Sequence, residues 1–509
     1  MKQIVIVGGG SAGWLTAGII AAEYQANGAP SLQVTLVESP DVSTIGVGEG
    51  TWPSMRNTLK RMGLSEAEFI LHCSASFKQG SKFVGWKNGQ QSDFYYHPFT
   101  TPQGASETSL VAAWQSQYSN LPFADVVGIQ SYLCENARAP KQVTTPEYAG
   151  VVNYGYHLDA GKFGELLQKH CTEKLGVKHI LDHVTNVVSA QNGDIAALQT
   201  KESGLIAGDL FIDCSGLSCL LLGKHYDVAF VDQKEASIND CAMATQVPYL
   251  DESTVIESPT IATAQSAGWT WDIGLSSRRG VGYVYSSAHI SDELAEQELR
   301  TYLAKSIGIK KAAEVSSRKL SIRAGHRKIF WYKNCVAVGM AAGFIEPLEA
   351  SALAMIELSA NMIRDEMPMT RECMDIVAQR FNTRFQYHWE RIIDFLKLHY
   401  ALTQRNDSSY WLDVSRAETV PESLRQLLQV WRYRPPHPND LMHIEEVFPS
   451  ASYQYVLYGM GFLPSPELPS KVSDNKELGL MGIKANIEKS RNYSSMLPSN
   501  RELICHIAK

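Results

Sequence analysis

One stretch near the N-terminus, residues 2–14 with the sequence KQIVIVGGGSAGW, constrains the fold more than any other. Residues 4–7 form an unbroken β-branched run, which is typical of a strand buried on both faces of a parallel sheet. Gly8, Gly10 and Gly13 follow with the spacing G-x-G-x-x-G. In dinucleotide-binding loops the first glycine permits the tight turn, the second admits a pyrophosphate, and the third lets the helix pack on the strand. The stretch therefore predicts a strand, a phosphate-binding turn and a helix.

The residues around this turn favour a bound dinucleotide. A helix predicted to begin near Ala12 would point its first N–H groups at the phosphates. A second buried strand over residues 32–37 ends in Glu38, an acid suitably placed to bind a ribose 2′-hydroxyl. The alternative is an ordinary βαβ turn without a ligand, because glycine turns occur in many folds.

The composition is that of an ordinary globular protein, with 44% hydrophobic and 19% charged residues in a chain of 509. A formal charge of −7 and the lack of a basic block argue against a nucleic-acid partner. Nine scattered cysteines include no C-x-x-C pair, so we expect reduced core thiols and no metal site. A strand is predicted directly after Met1 and Lys2, and no apolar run reaches about 18 residues, so we expect neither a signal peptide nor a membrane span. These features together predict a cytoplasmic protein.

The order of the predicted elements indicates an α/β fold. Strands are expected at 209–213, 268–287 and 336–339, and the Asn192-Gly193 pair predicts a hairpin. Helical periodicity dominates from residue 370 onward. The last forty residues are polar, and we expect them to form a loop that covers the surface.

Six motifs together resemble the flavin-dependent halogenases, the family typified by the tryptophan halogenases. The matching stretches lie between residues 4 and 352 and follow the order of the family. They are 8–14 (GGGSAGW), 45–51 (IGVGEGT), 77–83 (FKQGSKF), 208–216 (GDLFIDCSG), 269–273 (WTWDI) and 343–349 (GFIEPLE). Flavin monooxygenases share the first and fourth motifs, which therefore specify only FAD. The lysine, tryptophan and Pro-Leu-Glu motifs are the ones that indicate a halogenase.

The resemblance implies the FAD/NAD(P)-binding Rossmann-like fold of the flavin monooxygenase type. Residues 1–365 would form the FAD-binding module, with an inserted substrate-side segment at about 87–150, and residues 366–509 a mainly helical region that caps the substrate site. The residues expected to bind FAD are Gly8, Gly10, Ser11, Ala12, Gly13, Glu38, Gly48, Glu49, Asp213, Gly216 and Gly339. Because the sequence shows a single dinucleotide loop, FADH2 is expected from a separate flavin reductase.

Lys78 follows a predicted helix and lies beside Phe77. The resemblance assigns to this position the lysine that receives hypohalous acid and presents the halogen to the substrate, as a hydrogen-bonded acid or a haloamine. An ammonium group can polarise an O–X bond, and burial would lower the lysine pKa toward the neutral amine. The alternative is a surface lysine extended over Phe77. Lys82 is expected to be structural.

Glu349 lies in the sequence EPLEASA, in which Pro347 fits the first position of a helix. The first N–H groups of a helix form a natural anion site. By resemblance, the backbone amides of Ser351 and Ala352 hold chloride or bromide, and Glu349 stabilises the cationic intermediate or takes its proton. Better-known members of the family read Glu-Ser-Thr-Gly where this chain reads Glu-Ala-Ser-Ala. The alternative role of Glu349 is that of a first-turn acid that stabilises its helix.

Trp269, Trp271 and Ile273 alternate, so in a strand they would form one apolar wall while Thr270 and Asp272 face away. In the family this wall flanks the flavin and keeps the organic substrate from it. The family motif ends in Ile-Pro, and this chain lacks the proline. The alternative is an aromatic core strand.

His97 and Phe99 match residues that border the indole in the tryptophan enzymes, and Phe99 could stack on an electron-rich ring. His97 is equally compatible with a role as a core histidine. Those enzymes also use a tryptophan and an amino-acid clamp near the C-terminus, whereas residues 452–459 here carry tyrosines and no tryptophan. This difference argues against free tryptophan and favours an indole or a phenol-like aromatic substrate.

The resemblance thus implies halogenation of an electron-rich aromatic compound by FADH2, O2 and chloride or bromide. Hypohalous acid would pass through a tunnel in the protein to Lys78, and Glu349 would assist loss of the proton. One alternative is a flavin-dependent aromatic monooxygenase that inserts oxygen, and another is a flavin-binding redox sensor or scaffold. The sequence leaves the physiological substrate, the halide preference and the oligomeric state open, and a homodimer is among the options.

Overall fold

A computed structural model describes residues 2–24, 32–42, 48–90, 92–104, 110–443, 445–465 and 475–509. Residues 45–47 of the second halogenase motif lie outside this range. In the described part of the chain, no helix has the length and apolar character needed to cross a membrane.

The described residues form β-strands and α-helices along the whole chain. The strands are β1 (Gln3–Val7), β2 (Gln33–Glu38), β3 (Gly48–Gly50), β4 (Ser76–Lys78), β5 (Gly80–Val84), β6 (Phe94–Pro98), β7 (Gly155–Asp159), β8 (Lys178–Leu181), β9 (Val184–Ser189), β10 (Ile195–Thr200), β11 (Leu205–Ala207), β12 (Leu210–Asp213), β13 (Phe230–Asp232), β14 (Cys241–Pro248), β15 (Thr260–Ala264), β16 (Gly268–Gly274), β17 (Arg278–Tyr285), β18 (Ser317–Ser321), β19 (Gly325–Arg327), β20 (Trp331–Tyr332), β21 (Cys335–Ala337) and β22 (Gly343–Phe344). The α-helices are α1 (Ser11–Tyr24), α2 (Met55–Arg61), α3 (Glu66–His72), α4 (Leu110–Gln117), α5 (Phe123–Val127), α6 (Gln130–Glu135), α7 (Ala160–Glu173), α8 (Asp292–Ile307), α9 (Ile309–Glu314), α10 (Ser351–Asp365), α11 (Arg371–Ala401), α12 (Ser409–Val414), α13 (Glu422–Trp431), α14 (Ser450–Gly459), α15 (Lys476–Met496) and α16 (Asn500–Ile507).

The chain forms two compact units, each assembled from three segments. The first unit comprises Met1–Ala75, Leu158–Gln233 and Arg323–Trp389. Its main sheet has the strand order β20-β21-β12-β1-β2-β8, and all neighbours except β20 and β21 run parallel. The α1 helix packs against α7 and α10. The predicted parallel sheet with β1 at its centre is confirmed, and the β-branched run of β1 is buried as expected.

The predicted hairpin around Asn192-Gly193 is also confirmed. The antiparallel strands β9 and β10 flank this turn, and β11 extends them to a three-stranded sheet within the first unit. Gly193 has a φ of 80°, which a β-branched or bulky residue adopts only with strain.

The second unit comprises Ser76–His157, Lys234–Ile322 and Glu390–Lys509. Its main sheet has the order β18-β14-β17-β16-β15-β5-β6, in which β5 and β15 are parallel and the other neighbours antiparallel. The predicted domains 1–365 and 366–509 remain a prediction, because the compact units follow other segments and one of their boundaries falls within α11.

The expectation of a loop at the C-terminus is wrong. Within the described residues, this region consists mainly of α15 and α16. The side chain of Ser499 accepts a hydrogen bond from the N–H of Glu502, and the carboxylate of Glu502 accepts one from the N–H of Ser499. These two bonds form a complete capping box. Polar residues dominate both helices, and their buried positions include Asn486, Ser490 and Asn500. A pattern search that follows apolar periodicity misses helices of this kind.

Candidate active site

The predicted cofactor residues of the first unit gather at the carboxyl edge of its six-stranded sheet. The strands β1, β12 and β21 are parallel neighbours, and Gly8, Gly216 and Gly339 follow their carboxyl ends. All three glycines have positive φ angles, of 114°, 64° and 69°. Ligands of open α/β sheets bind beyond this edge. The structure therefore brings residues from distant parts of the sequence to the expected place.

The three glycines of the first motif have different surroundings. A Cβ atom on Gly8 would lie 2.2 Å from the carbonyl oxygen of Cys214, and one on Gly13 would lie 1.8 Å from the carbonyl oxygen of Gly8. A Cβ atom on Gly10 would meet no atom of the described chain within 4 Å. This open space lies where α1 begins, at Ser11, and where the first N–H groups of the helix have no helical acceptor. The arrangement fits a pyrophosphate such as that of FAD.

Two further predicted cofactor residues flank this loop. A Cβ atom on Gly339 would lie 2.8 Å from the Cβ atom of Ala12. The carboxylate of Glu38 lies 3.0 Å from Nε2 of His179 and fills the space beside Gly9, where a Cβ atom would be 2.0 Å from its Cδ atom. Glu38 is thus beside the loop, and its contact with a ribose remains a prediction.

The carboxylate of Asp213 serves the protein itself. It is fully buried and accepts hydrogen bonds from the N–H groups of Leu221 and Leu222, at 2.7 and 2.9 Å. These bonds order the chain that follows β12, so a contact between Asp213 and FAD remains a prediction. Gly48 and Glu49 lie in β3, where Gly48 is buried and Glu49 half-buried.

Glu349 lies in a turn of unusual backbone conformation. Its φ is 61° and that of Ala350 is 54°, so two consecutive residues with side chains are left-handed. Each such residue costs on the order of 1–3 kcal/mol. The helix α10 begins only at Ser351, so the expectation that Pro347 occupies its first position is wrong. The N–H groups of Ser351 and Ala352 nevertheless open the helix and have no acceptor within it.

Trp52 supports this turn from a neighbouring loop of the same unit. Its indole Nε1–H donates to the carbonyl oxygen of Glu349 at 2.8 Å. The chain after Trp52 is held by Glu357, whose carboxyl group accepts from Ser54 at 3.0 Å and from Thr58 at 2.6 Å. Burial raises the pKa of Glu357 to about 7. No local sequence pattern predicts these contacts, because each joins residues about 300 positions apart.

Lys78 is buried in the second unit, with an exposed fraction of 1%. It ends β4, which pairs antiparallel with β7 so that Lys78 lies opposite Gly155. Its Nζ atom lies 5.4 Å from the centre of the Phe99 ring, which is cation–π distance. The alternative of a surface lysine is therefore wrong.

Hydrogen bonds fix the backbone on both sides of Lys78. The hydroxyl of Ser76 donates to the carbonyl oxygen of Gly274 at 2.5 Å, and the N–H of Gln79 donates to that of Ser258 at 2.9 Å. Ser76 thereby ties β4 to the end of β16, the strand that carries Trp269.

His157 lies diagonally across the β4–β7 ladder from Lys78, opposite Ser76. Its Nε2 atom is 2.8 Å from the hydroxyl of Thr260. Burial, and then the charge of Lys78, hold the pKa of His157 well below its usual value, so the ring is neutral near pH 7. Lys82, by contrast, forms an ion pair with Glu135 at 2.5 Å, as a structural lysine would.

Trp269 and Trp271 lie in β16 with their ring centres 6.4 Å apart. Both are buried, but so are Thr270 and Asp272 on the other face of the strand. The strand is therefore covered on both faces. Trp271 fills the space left by Gly282, where a Cβ atom would be 2.1 Å from its ring. A place for either tryptophan beside the flavin remains a prediction.

His97 and the backbone that follows Phe99 contact helix α14 (Ser450–Gly459). Nε2 of His97 is 2.9 Å from the hydroxyl of Ser452, and the hydroxyl of Tyr455 donates to the carbonyl oxygen of Thr100 at 2.9 Å. His97 is buried, whereas Phe99 is half-buried and faces the amine of Lys78. The sequence distinguished residues 452–459 by their tyrosines, but it did not predict the contact of this segment with His97.

Comparisons with known proteins decide the family. The family model described as tryptophan halogenase matches residues 3–474. The chain belongs to this family. The tryptophan 6-halogenase SttH of Streptomyces toxytricini is 32% identical over 92% of this chain and 91% of that protein. The crystal structure of a tryptophan halogenase from Shewanella frigidimarina NCIMB 400 is 48% identical, with a TM-score of 0.96, and the alignment covers 100% of this chain and 98% of that chain.

A third relative supports the flavin dependence. Tar14, a tryptophan C-6 flavin-dependent halogenase (chlorinase) from taromycin biosynthesis, is 31% identical with a TM-score of 0.92, over 100% of both chains. The protein is therefore a flavin-dependent halogenase with the expected FAD-binding fold, and it uses FAD and a halide ion. The alternatives of a hydroxylase and of a non-enzymatic flavin protein are not favoured.

We predict that alanine substitutions at Gly10 and Gly13 have different effects on stability and on FAD binding. Gly13→Ala should lower the free energy of unfolding by about 2 kcal/mol or more, because its Cβ atom collides with backbone. Gly10→Ala should leave the stability of the FAD-free protein unchanged and weaken FAD binding at least about tenfold, because the methyl group fills the phosphate space. Thermal unfolding and FAD titration measure the two effects. Wild-type FAD affinity in Gly10→Ala would refute the placement of the pyrophosphate.

We predict that Trp52→Phe lowers kcat about fivefold while the KM for the aromatic substrate stays constant. Phenylalanine keeps an aromatic ring at this position but lacks the indole N–H. The variant therefore loses a hydrogen bond worth about 1 kcal/mol to the strained Glu349 turn. Trp331→Phe is the matched control, because its indole also donates to a backbone carbonyl, that of Lys333 at 3.1 Å, in the same unit. Steady-state kinetics should show no change in kcat for the control. Equal effects in both variants would contradict a specific role of Trp52.

Proposed function

We propose that the halogenase transfers chlorine or bromine to a carbon atom of an electron-rich aromatic compound such as an indole, with Lys78 as the residue that delivers the halogen. The observation that carries this proposal is the burial of the Lys78 amine beside the ring of Phe99. Lysine is among the residue types that are least often fully buried, so a buried amine against an aromatic face, at the position that the family resemblance assigns to the halogen-carrying lysine, supports a functional site.

The chemistry balances with the cofactors of the family. Reduced FAD, when bound, would supply two electrons and the halide ion two more, which reduce the two oxygen atoms of O2 to one water molecule and the oxygen atom of hypohalous acid. The halide thereby becomes an electrophilic halogen in the form of hypohalous acid. Lys78 binds this acid through its N–H groups, or its neutral amine takes the halogen as a haloamine and releases water. The aromatic carbon then bonds to the halogen while the O–X or N–X bond breaks. The ring loses a proton, which leaves water or the regenerated amine.

Glu349 and the start of α10 supply the remaining groups in this proposal. The N–H groups of Ser351 and Ala352 point out of a helix N-terminus, where the helix dipole favours an anion such as chloride or bromide. Glu349 stabilises the cationic ring intermediate or accepts the proton that it loses. The left-handed conformation of Glu349 supports this role, because strained residues occur preferentially at functional sites.

The surroundings of His97 favour a substrate without a charged amino-acid group. The ring centres of Phe395, Phe448 and Tyr455 lie 5.4, 6.5 and 6.2 Å from that of His97, and the hydroxyl of Ser452 lies 2.9 Å from its Nε2 atom. These groups suit an aromatic ring and a neutral polar substituent. Several relatives are named for tryptophan, so free tryptophan is the competing substrate to test.

The partners of the enzyme follow from the same proposal. FADH2 comes from a separate flavin reductase, because the sequence carries one dinucleotide loop. A cytoplasmic location agrees with the nine cysteines, all of them described and none in a disulfide. A homodimer is one option for the oligomeric state, which the sequence leaves open.

The experiment that tests the proposed function supplies the enzyme with FAD, a flavin reductase, NADH and one halide at a time. Indole, a phenol and L-tryptophan are offered separately, and product masses are measured. We expect replacement of hydrogen by chlorine or bromine, with indole converted at least about tenfold faster than L-tryptophan. Addition of oxygen without halide would refute halogenation, and faster conversion of L-tryptophan would refute the substrate class.

We predict that Lys78→Met lowers the halogenation rate at least about 100-fold while FAD affinity and the oxidation of FADH2 persist. Methionine fills a similar apolar space but cannot hold the halogen as an amine does. Lys82→Met is the matched control, because Lys82 lies four positions on and is engaged with Glu135. The control should retain halogenation. Wild-type halogenation by Lys78→Met would rule out its proposed role.

A further inference from the structure

Within the described residues, the strand that carries Lys78 lies at the edge of its sheet. In the second unit β4 has β7 as its strand neighbour on one side, with Phe77 opposite Tyr156. The N–H and C=O groups of Phe77 are bonded to a side chain in place of another strand. Unpaired strand edges are normally covered, because buried peptide groups need partners. The residue that covers this edge therefore controls the backbone next to Lys78.

That residue is Asn500, the first residue of α16. Its Oδ1 atom accepts from the N–H of Phe77 at 3.3 Å, and its Nδ2–H donates to the carbonyl oxygen of the same residue at 3.1 Å. The amide of Asn500 thus replaces the peptide group of a neighbouring strand. Asn500 is fully buried, with an exposed fraction of 0%, although it lies 423 positions from Phe77 in the sequence.

The backbone around Asn500 is itself anchored within the second unit. Its N–H donates to the carbonyl oxygen of Ala137 at 3.1 Å, and the N–H of Ala139 donates to that of Pro498 at 2.9 Å. The preceding residue, Ser499, forms the capping box of α16 with Glu502. The side chain of Asn500 therefore presents its amide from a fixed position.

We propose that Asn500 is a positioning residue for halogen transfer. It sets the direction of the Lys78 amine by holding the backbone N–H and C=O of Phe77. This inference rests on the proposed function of Lys78. A long lysine side chain amplifies a small rotation of its strand, and a misplacement of about 1 Å can cost 100-fold in rate. Ser76 and Gln79 fix the two ends of the segment, and Asn500 fixes the peptide between Ser76 and Lys78.

The test compares Asn500→Ala with Asn486→Ala in the FAD-loaded enzyme supplied with a flavin reductase, bromide and indole. Asn486 is the matched control, because it is also a buried asparagine near the C-terminus that donates to backbone carbonyls, those of Gln103 and Val126. The readout is the amount of halogenated indole formed per FADH2 oxidised. A merely structural asparagine would lower the amount of active enzyme but would not change this ratio.

We expect Asn500→Ala to lower the ratio about tenfold, with the rate of FADH2 oxidation per folded molecule within twofold of wild type. Asn486→Ala should keep the wild-type ratio. If Asn500→Ala does not fold, Asn500→Asp decides, because it keeps the shape and the acceptor but loses the donor to Phe77; its ratio should fall at least threefold. A wild-type ratio in the folded Asn500 variant overturns the inference, and so does an equal fall in the control.

Lys78→Met, measured in the same assay, separates this inference from the proposed function. Loss of product in Lys78→Met together with a wild-type ratio in the Asn500 variant would overturn only the role of Asn500. Retention of product in Lys78→Met would overturn the proposed role of Lys78, and the inference would fall with it.

Discussion

The placement of one buried amine is the constraint on which the account of this halogenase depends. Lys78 lies in the interior with an exposed fraction of 1%, where a cation loses its hydration. The face of Phe99 lies at cation–π distance from this amine, and the backbone beside it is held at Ser76, Phe77 and Gln79. Two of these anchors come from β16 and α16, far along the chain. A reactive halogen can be directed to one carbon atom only if the group that carries it is held in this way.

The first unit applies the same principle to its backbone. Gly8 and Gly13 are required because other backbone atoms occupy the space of their side chains, and Gly10 leaves room for a phosphate. The left-handed pair at Glu349 and Ala350 stores strain, and the hydrogen bond from Trp52 supports it. The residues proposed for cofactor binding, halide binding and proton transfer therefore have backbone conformations that an isolated peptide would not adopt.

The sequence predicted the features that depend on local pattern. The parallel sheet was predicted correctly from the β-branched run of β1 and the glycine spacing. The hairpin was predicted correctly from the Asn192-Gly193 turn. The predicted start of α10 at Pro347 was wrong. Proline at the first helical position is only a statistical preference, and the left-handed turn at Glu349 delays the start of the helix. The C-terminal helices were missed because their buried face contains asparagine and serine. Contacts such as Asn500 with Phe77 could not be predicted, because no local pattern joins residues so far apart.

The most direct test of the central claim asks whether the oxidised halogen leaves the protein before it reaches the substrate. Halogenation of indole by the wild-type enzyme is measured with and without a large excess of free methionine, which consumes hypohalous acid in solution. If the Lys78 amine holds the halogen away from solvent, the yield of halogenated indole per FADH2 oxidised should be unchanged by methionine. A yield that falls in proportion to the methionine concentration would show that the halogen is released, and would contradict the account.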